Sequence, residues 1–496
     1  MLFRVKASLR QRSRAAAIVL LAGLAVVAVT GVILPRITDL GSANDAAFND
    51  LLTTPADISF DTGCLPIDDP VMPVYECYEY ASEMPAGRRV TFTSDQGIRA
   101  YASTFSVGTE SRVRFTPTHA GVWRSSDGKE IAVTGPRPSY ARGFVVADND
   151  GHWLRSADRR AFVPQFVMYH GSDIRFAVDE FVGRHGFTGL HVPNLRAFMQ
   201  NPEFFEAIVL ETYRAGGTTH FWLWGDQQRE QSPDEYPGSV EELYTVLGAR
   251  LGPLPGWTLG FGFDLYEWVT QEQIDRFRDT MSLQSSYTHL IGARGAKNRY
   301  ISVYDDADFA SWEWHQPSIL DYRDHIREAG GRPAFSEDRF RIREKTRYPE
   351  KDYTLDTTRQ GLWFSMIAGG VANIWGNMDD HEYFSTAYAN RDAIRFYRDF
   401  VDAQFSRDLK PIGEASANSA CLSNVRKLVC FASRQAAIRI PQQIDIERIE
   451  SIVATDTIGL NRYELRSDAI ASDGLVSVPH ASDWALVAEF GAPDSR

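Results

Sequence analysis

Between Phe162 and Asn377 eight short apolar runs alternate with amphipathic stretches, and this rhythm restricts the fold more than any other feature of the chain. The runs are AFVPQFVMYHG, GFTGLHVPN, GTTHFWLWGD, WTLGFGFDLYEW, SYTHLIGARG, RYISVYDD, GRPAFSEDRF and GVANIWGN. Between them lie helical patterns such as NPEFFEAIVLETYRAGG, SVEELYTVLGARLG, TQEQIDRFRDTM, PSILDYRDHIREAGG and TLDTTRQGLWFSMIAGG. Parallel strands need a crossover between them, normally a helix. Eight such units in about 220 residues are what a (β/α)8 TIM barrel requires. A doubly wound open sheet would alternate too, but no Gly-rich phosphate loop follows the first run.

The flanks have a different texture. RRVTFTSD, IRAYASTFSV, SRVRFTPTHAGVWRSS and GKEIAVTG alternate apolar and polar residues between turn signals, which predicts an N-terminal β-sandwich over 56–150. The barrel then occupies 151–408, ending with the helical RDAIRFYRDFVDAQF. ACLSNVRKLVCFAS, RIESIVATD and DWALVAEF predict a C-terminal β-sandwich over 409–496. Ahead of all this, residues 1–14 carry Arg4, Lys6, Arg10, Arg12 and Arg14 without an acid, and residues 15–34 are apolar. At 1.5 Å per residue a run of about 20 residues reaches roughly 30 Å, the thickness of a hydrocarbon core. The charge bias places the N-terminus in the cytoplasm, so one N-terminal transmembrane helix, followed by a linker over 35–55, would anchor an extracytoplasmic body. A cleaved signal peptide is the alternative, giving a secreted protein, and both export the remainder. In that setting Cys64 with Cys77, and Cys421 with Cys430, are the economical disulfide pairs. The formal charge of -13 disfavours nucleic acid as a partner and suits an uncharged substrate.

Active sites of such barrels lie at the carboxyl ends of the strands. The fourth run ends in Asp264, Tyr266 and Glu267; the seventh contains Ser336-Glu337-Asp338. Strands four and seven of eight oppose each other, so Glu267 and Glu337 can converge across the mouth. Glycoside cleavage uses such a pair, one carboxyl protonating the leaving oxygen while the other attacks or activates water. Trp222, Trp224, Trp268, Trp312, Trp314 and Trp375 are placed where indoles could stack on sugar rings. His191, Asn194, His289, Arg294, Asn373 and Asn377 could bond hydroxyls. Each of these also has a structural reading: aromatics are mostly core, Glu267 could favour a helix N-terminus, and Glu337 could pair with Arg339, Arg341 or Arg343. Two acidic loops, with Asp305, Asp306 and Asp308 and with Asp379, Asp380 and His381, have calcium-type oxygens, but solvated acidic loops are commoner, and neither metal nor cofactor is expected.

The order of several pieces is similar to a known group. VRFTPTHAGVWRSS, THLIGAR, RPAFSEDRFR, QGLWFSMIAGGVANIWGN and PHASDWALVAEF, spread over about residues 85–492, resemble the apiosidase-like group of secreted glycosidases within the clan-A retaining glycoside hydrolases. The resemblance implies a retaining mechanism with Glu267 as general acid/base and Glu337 as nucleophile; apart from it, nearby Arg339 or Arg294 could keep Glu337 ionised. It departs at Tyr266, where many clan-A enzymes carry an Asn that binds the sugar 2-hydroxyl. The expected partner is a carbohydrate. Rival expectations are a non-catalytic glycan-binding surface protein on the same barrel and a transglycosylase.

Overall fold

Eight strands close into one parallel barrel in sequence order: β1 (Gln165–Tyr169), β2 (Gly189–Val192), β3 (Thr218–Trp224), β4 (Trp257–Gly262), β5 (Ile291–Lys297), β6 (Phe309–Glu313), β7 (Ala334–Phe340) and β8 (Ala372–Met378), with β8 pairing β1. The computed structural model describes residues 63–68, 71–225, 227, 230–263, 265, 268–297, 307–340, 353–378, 391–466 and 469–491, without the side chains of 295–297, 338–340, 377 and 378. Seven of the eight predicted runs supply these strands. The sixth does not: RYISVYDD, at 299–306, lies outside the described residues, and the ring takes FASWE instead. All five residues of FASWE are buried, as a strand covered on both faces demands. Asp305 and Asp306 would have put two charges into that covered layer.

The helices follow their capping signals. They are α1 (Ile174–Ala177, continuing as a π-helical Val178–Arg184), α2 (Pro202–Arg214), α3 (Val240–Arg250), α4 (Gln271–Gln284), α5 (Ile319–Glu328), α6 (Leu355–Ala368) and α7 (Arg391–Gln404). Asn201 caps α2 ahead of Pro202, Ser239 caps α3, and Thr270, Ser318 and Thr354 begin α4, α5 and α6 with reciprocal capping boxes. Each cap satisfies amide donors that the first turn leaves open, worth about 1 kcal/mol.

Inside the ring Phe166, Met168, Trp222, Phe309, Phe335 and Ile374 form one core. A three-stranded antiparallel sheet, Val145–Ala147, Trp153–Arg155 and Ala161–Phe162, closes the amino ends of the strands and straddles the expected 150/151 boundary. Its Trp153 packs into the same core and donates to the Ala334 carbonyl, at the start of β7, at 3.3 Å.

Two four-stranded sheets precede the barrel, with Val90, Phe92, Phe115 and Trp123 between them. This β domain is joined to α2 and α3 by a buried ionic chain in which Arg114 contacts Glu79 at 2.7 Å and Glu206 at 2.8 Å, and Arg250 contacts the same Glu206 at 2.5 Å. The C-terminal β domain is one continuous six-stranded sheet rather than two. Its long strands, Lys427–Arg439 and Leu475–Phe490, change register midway, and residues from both halves share one core. Asp483 meets Arg359 of α6 at 2.5 Å and also accepts from Gln360, Ser433 and the Arg434 amide. Burial pushes its carboxyl up, but these bonds outweigh it and hold the group below its usual range.

Both disulfides, Cys64–Cys77 and Cys421–Cys430, are formed. They point to an oxidising, extracytoplasmic compartment. The expected membrane helix at 15–34 lies outside the described residues, and among the described residues no helix is long and apolar enough to cross a bilayer.

Candidate active site

Glu337 stands in the middle of β7, and its neighbours fix where the carboxylate points. The ladder between β7 and β8 slips here: Ser336 pairs with Asn373, but Arg339 pairs with the next residue, Ile374. Such a bulge re-aims a side chain and is common beside active sites. Across the barrel, β4 offers no side chain at Gly260, where an added Cβ would stand 1.8 Å from Glu337 Oε1. The carboxylate therefore reaches the opposing strand, into room that only glycine leaves open.

β3 supplies the donors. Its parity places His220 and Trp222 on one face, and Trp222 Nε1 donates to Glu337 Oε1 at 2.5 Å while His220 Nε2 lies 3.0 Å from the same oxygen. His220 Nδ1 is 2.9 Å from Thr258 Oγ1 on β4. One tautomer satisfies both contacts of a neutral ring beside an ionised Glu337: Nε2–H donates to the carboxylate and Nδ1 accepts from the Thr258 hydroxyl. Glu337 has no exposed surface, and its Oε2 has no hydrogen-bond partner among the described residues. One oxygen is held by two donors and the other is left for something else.

Around this pair the site widens over β2, β5 and β6. His191 packs edge-on against Trp222, ring centres 4.3 Å apart. Arg294 lies over the Trp222 ring at 5.6 Å and donates from Nη1 to the Glu337 carbonyl at 3.2 Å. Its contact with Glu337 is thus to the main chain, clamping the bulged strand. The Arg294 Nη2 is 3.7 Å from Glu313, the last residue of β6, whose carboxylate also meets His315 Nε2 at 3.1 Å.

Of the residues picked from sequence, Glu337, Trp222, His191 and Arg294 come together. Asp264, Tyr266 and Glu267 lie outside the described residues, as does the side chain of Arg339. Asn194, just after β2, has a left-handed φ of 72° and accepts from Arg196 Nε at 2.9 Å. Six expectations need correction. Trp224 faces the helix layer, donating to Tyr244 of α3 at 3.1 Å. Trp375 also points outward, donating to Gln165 Oε1 at 2.7 Å with Tyr353 edge-on at 5.2 Å. Neighbouring Asn373 bonds Gln165 and Tyr322 there. His289 precedes β5, at the wrong end of the strand; it stacks on Trp257 at 3.9 Å and donates to the Gly252 carbonyl, and burial pushes its pKa down to about 4. Trp314 leans on His325 of α5 at 5.2 Å, beside Trp312, which lies within β6 rather than after it. Among the described residues Trp222 is the indole that meets Glu337, while Trp268, beyond β4, donates from Nε1 to the Gly225 carbonyl just after β3 at 3.0 Å.

His220, Thr258, Gly260, Glu313 and His315 were not singled out from sequence. The spacing of two between His220 and Trp222, and between Thr258 and Gly260, carries a signal once one member of each pair is known to face inward. Of the acidic loops, Asp308 is engaged by Arg278 and the Ile291 amide, both at 2.8 Å, and the other members lie outside the described residues. Among the described residues no cluster of metal-ligating side chains occurs. A cavity of about 760 Å³ beside Arg160, Phe405 and Lys410 lies at the foot of the barrel, away from Glu337.

Comparison with solved structures agrees with this architecture. A candidate glycoside hydrolase from Bacteroides vulgatus superposes with a TM-score of 0.66 at 13% identity, covering 84% of this chain and 99% of its own. A second glycoside hydrolase gives 0.55 at 10%, covering 72% and 98%. A family 5 glycoside hydrolase from Bacteroides vulgatus gives 0.54 at 9%, covering 71% and 94%. These structural neighbours are glycoside hydrolases. No family model and no curated protein matches the chain. At these identities the likeness establishes the barrel with its flanking β domains.

Proposed function

We propose that the protein is a retaining glycoside hydrolase acting outside the cytoplasm on an uncharged poly- or oligosaccharide, with Glu337 as nucleophile and Glu267 as general acid/base. The observation that carries this reading is the asymmetric carboxylate of Glu337, one oxygen anchored by Trp222 and His220 and the other without a partner among the described residues, in a barrel whose solved neighbours are glycoside hydrolases. In the first step Oε2 attacks the anomeric carbon while Glu267 protonates the departing oxygen. In the second, Glu267 takes a proton from water, which displaces the ester and returns Glu337 as a carboxylate. The donors on Oε1 stabilise the charge that reappears on the leaving carboxylate. His191, Arg294 and Asn194 would be the groups that bind hydroxyls. Membrane attachment through residues 15–34, or secretion after cleavage, completes the proposal.

Glu337→Gly assayed on aryl glycosides with and without azide tests it. Loss of turnover with azide-dependent recovery, giving a glycosyl azide of inverted configuration, is expected of a nucleophile. Loss without rescue refutes that role. One observation favours a second reading: the carboxylate has no exposed surface, as suits a glycan-binding protein on a barrel of this type. Such a protein would release no sugar from any substrate, and its glycan affinity would be the same in wild type and Glu337→Gln.

A further inference from the structure

Thr258 on β4 has no place in the two steps above, yet its hydroxyl meets the imidazole that supports the nucleophile. The ladder between β3 and β4 pairs His220 directly with Thr258, so ring and hydroxyl stand side by side in the barrel interior. Thr258 is 1% exposed and His220 is fully buried. The walls around the imidazole are apolar, with Phe166 nearly parallel to it at 5.4 Å and Phe335 edge-on at 4.8 Å. Two polar contacts therefore fix the ring: Nδ1 lies 2.9 Å from Thr258 Oγ1, and Nε2 lies 3.0 Å from Glu337 Oε1. A half-turn of the ring would put carbon at both places. Donation from the hydroxyl to Nδ1 also polarises the ring, which makes Nε2–H a stronger donor than an imidazole acting alone.

The strength of that donor acts in opposite senses on the two steps. With Glu337 as nucleophile, its carboxylate is charged before the first step, esterified after it, and charged again after the second. In the second step water bonds to the anomeric carbon and its proton passes to Glu267. The bond from that carbon to Glu337 Oε2 breaks, and its electron pair returns to the carboxylate. A donor on Oε1 stabilises the charged form, so strengthening it slows attack and speeds departure.

We propose that Thr258 is a positioning residue for the second step, acting through His220 to receive the charge that returns to Glu337 when the glycosyl ester is hydrolysed. This role rests on the reading of Glu337 as nucleophile and deepens it.

Thr258→Val keeps the shape of the side chain and removes its hydroxyl, whereas Thr258→Ser keeps the hydroxyl. Both are assayed on the dinitrophenyl glycoside of a sugar that the wild type releases, where a good leaving group makes the second step limiting. With the charge about half restored at the transition state, loss of one hydrogen bond to it predicts a fall in kcat of roughly three- to tenfold in Thr258→Val. KM should fall in parallel, leaving kcat/KM within about twofold of wild type, and rapid mixing should show the burst of dinitrophenol expected of an accumulating ester. Thr258→Ser should restore kcat to within about twofold. In a His220→Gln background Thr258→Val should change kcat by less than about twofold, because the two residues act as a unit. Wild-type kcat in Thr258→Val, a loss confined to kcat/KM, an equal loss in Thr258→Ser, or an undiminished loss in the His220→Gln background would each overturn the role. Azide rescue of Glu337→Gly tells the two failures apart: if it is absent both readings fall, whereas if it is present these results remove the role of Thr258 alone. Should Thr258→Val fail to fold, Thr258→Ala is measured against Thr258→Ser by the same criteria.

Discussion

Gly260→Ala is the sharpest test of the geometry around Glu337. A Cβ at this position would stand 1.8 Å from Glu337 Oε1 and 2.8 Å from Trp222 Cδ1, whereas ordinary contact begins near 3.4 Å. The methyl is fixed to a β4 strand paired on both sides, so the carboxylate is what gives way, by about 1.6 Å, the difference between those two separations. A shift of that size cannot preserve both the 2.5 Å bond from Trp222 and the 3.0 Å contact with His220. Hydrogen bonds to a charged group are worth about 1.5–3 kcal/mol each, and a misplacement of about 1 Å in a reacting group costs on the order of 100-fold in rate. The expected result is a fall in kcat of roughly 100-fold or more on an aryl glycoside. Overpacking should lower stability by only about 1–3 kcal/mol, measured by urea unfolding.

Gly292→Ala on β5 supplies the control. There the added Cβ would meet the Phe309 ring at 2.0 Å rather than the carboxylate. It should destabilise to a similar extent while retaining most of kcat. If Gly260→Ala turns over at the wild-type rate, or if the two variants lose activity in proportion to their loss of stability, then the placement of Glu337 against β4 does not govern the chemistry.

Four further outcomes follow from buried charge. His289 has a folded pKa near 4, below its ordinary 6.5, so the unfolded chain binds the proton first. Its contribution is complete above about pH 6.5 and is lost as the pH falls toward 4, roughly 3 kcal/mol in all, which urea unfolding across that window should show and His289→Gln should flatten. Asp483, also held below its usual range, acts lower: its stabilisation persists above the ordinary aspartate range and disappears as the pH falls through the depressed value. Arg359→Met, which strips Asp483 of its cation at neutral pH, should cost about 3–5 kcal/mol by the same measurement. Arg114→Met should cost a similar amount, and limited proteolysis should then release the N-terminal β domain from the barrel, since Glu79 and Glu206 lose their shared partner.

The barrel was legible because strand and helix periods differ and because each crossover helix begins with a capping residue that can be read directly. Thr270, Ser318 and Thr354 all serve as the N-caps their positions suggest. The sixth strand was misread because RYISVYDD satisfies local β preference, whereas the strand that closes the ring must satisfy burial on both faces. That condition comes from the neighbours, β5 and β7, and not from the run itself. The C-terminal sheet shows the same limit: its separate apolar runs announce strands, but the two long strands crossing both halves depend on register shifts that no local pattern announces.

At the site the limit is one of facing direction. The runs THFWLW and ANIWGN carry apolar residues on both parities, as strands covered on both faces do, so hydrophobicity does not separate their inner from their outer residues. Trp222 and Trp375 look alike in sequence; one donates to Glu337 and the other to Gln165 beneath the helices. Position along the strand was equally hidden, and His289 fell at the amino end only because β5 begins at Ile291. What breaks the degeneracy is a polar residue that needs a partner. Glu337, buried in a strand, demands donors from the barrel interior, and only residues of inward parity such as His220 and Trp222 can answer. A charged residue in an otherwise apolar strand therefore identifies the inner face of its own strand, and its hydrogen bonds assign the face of the strands opposite.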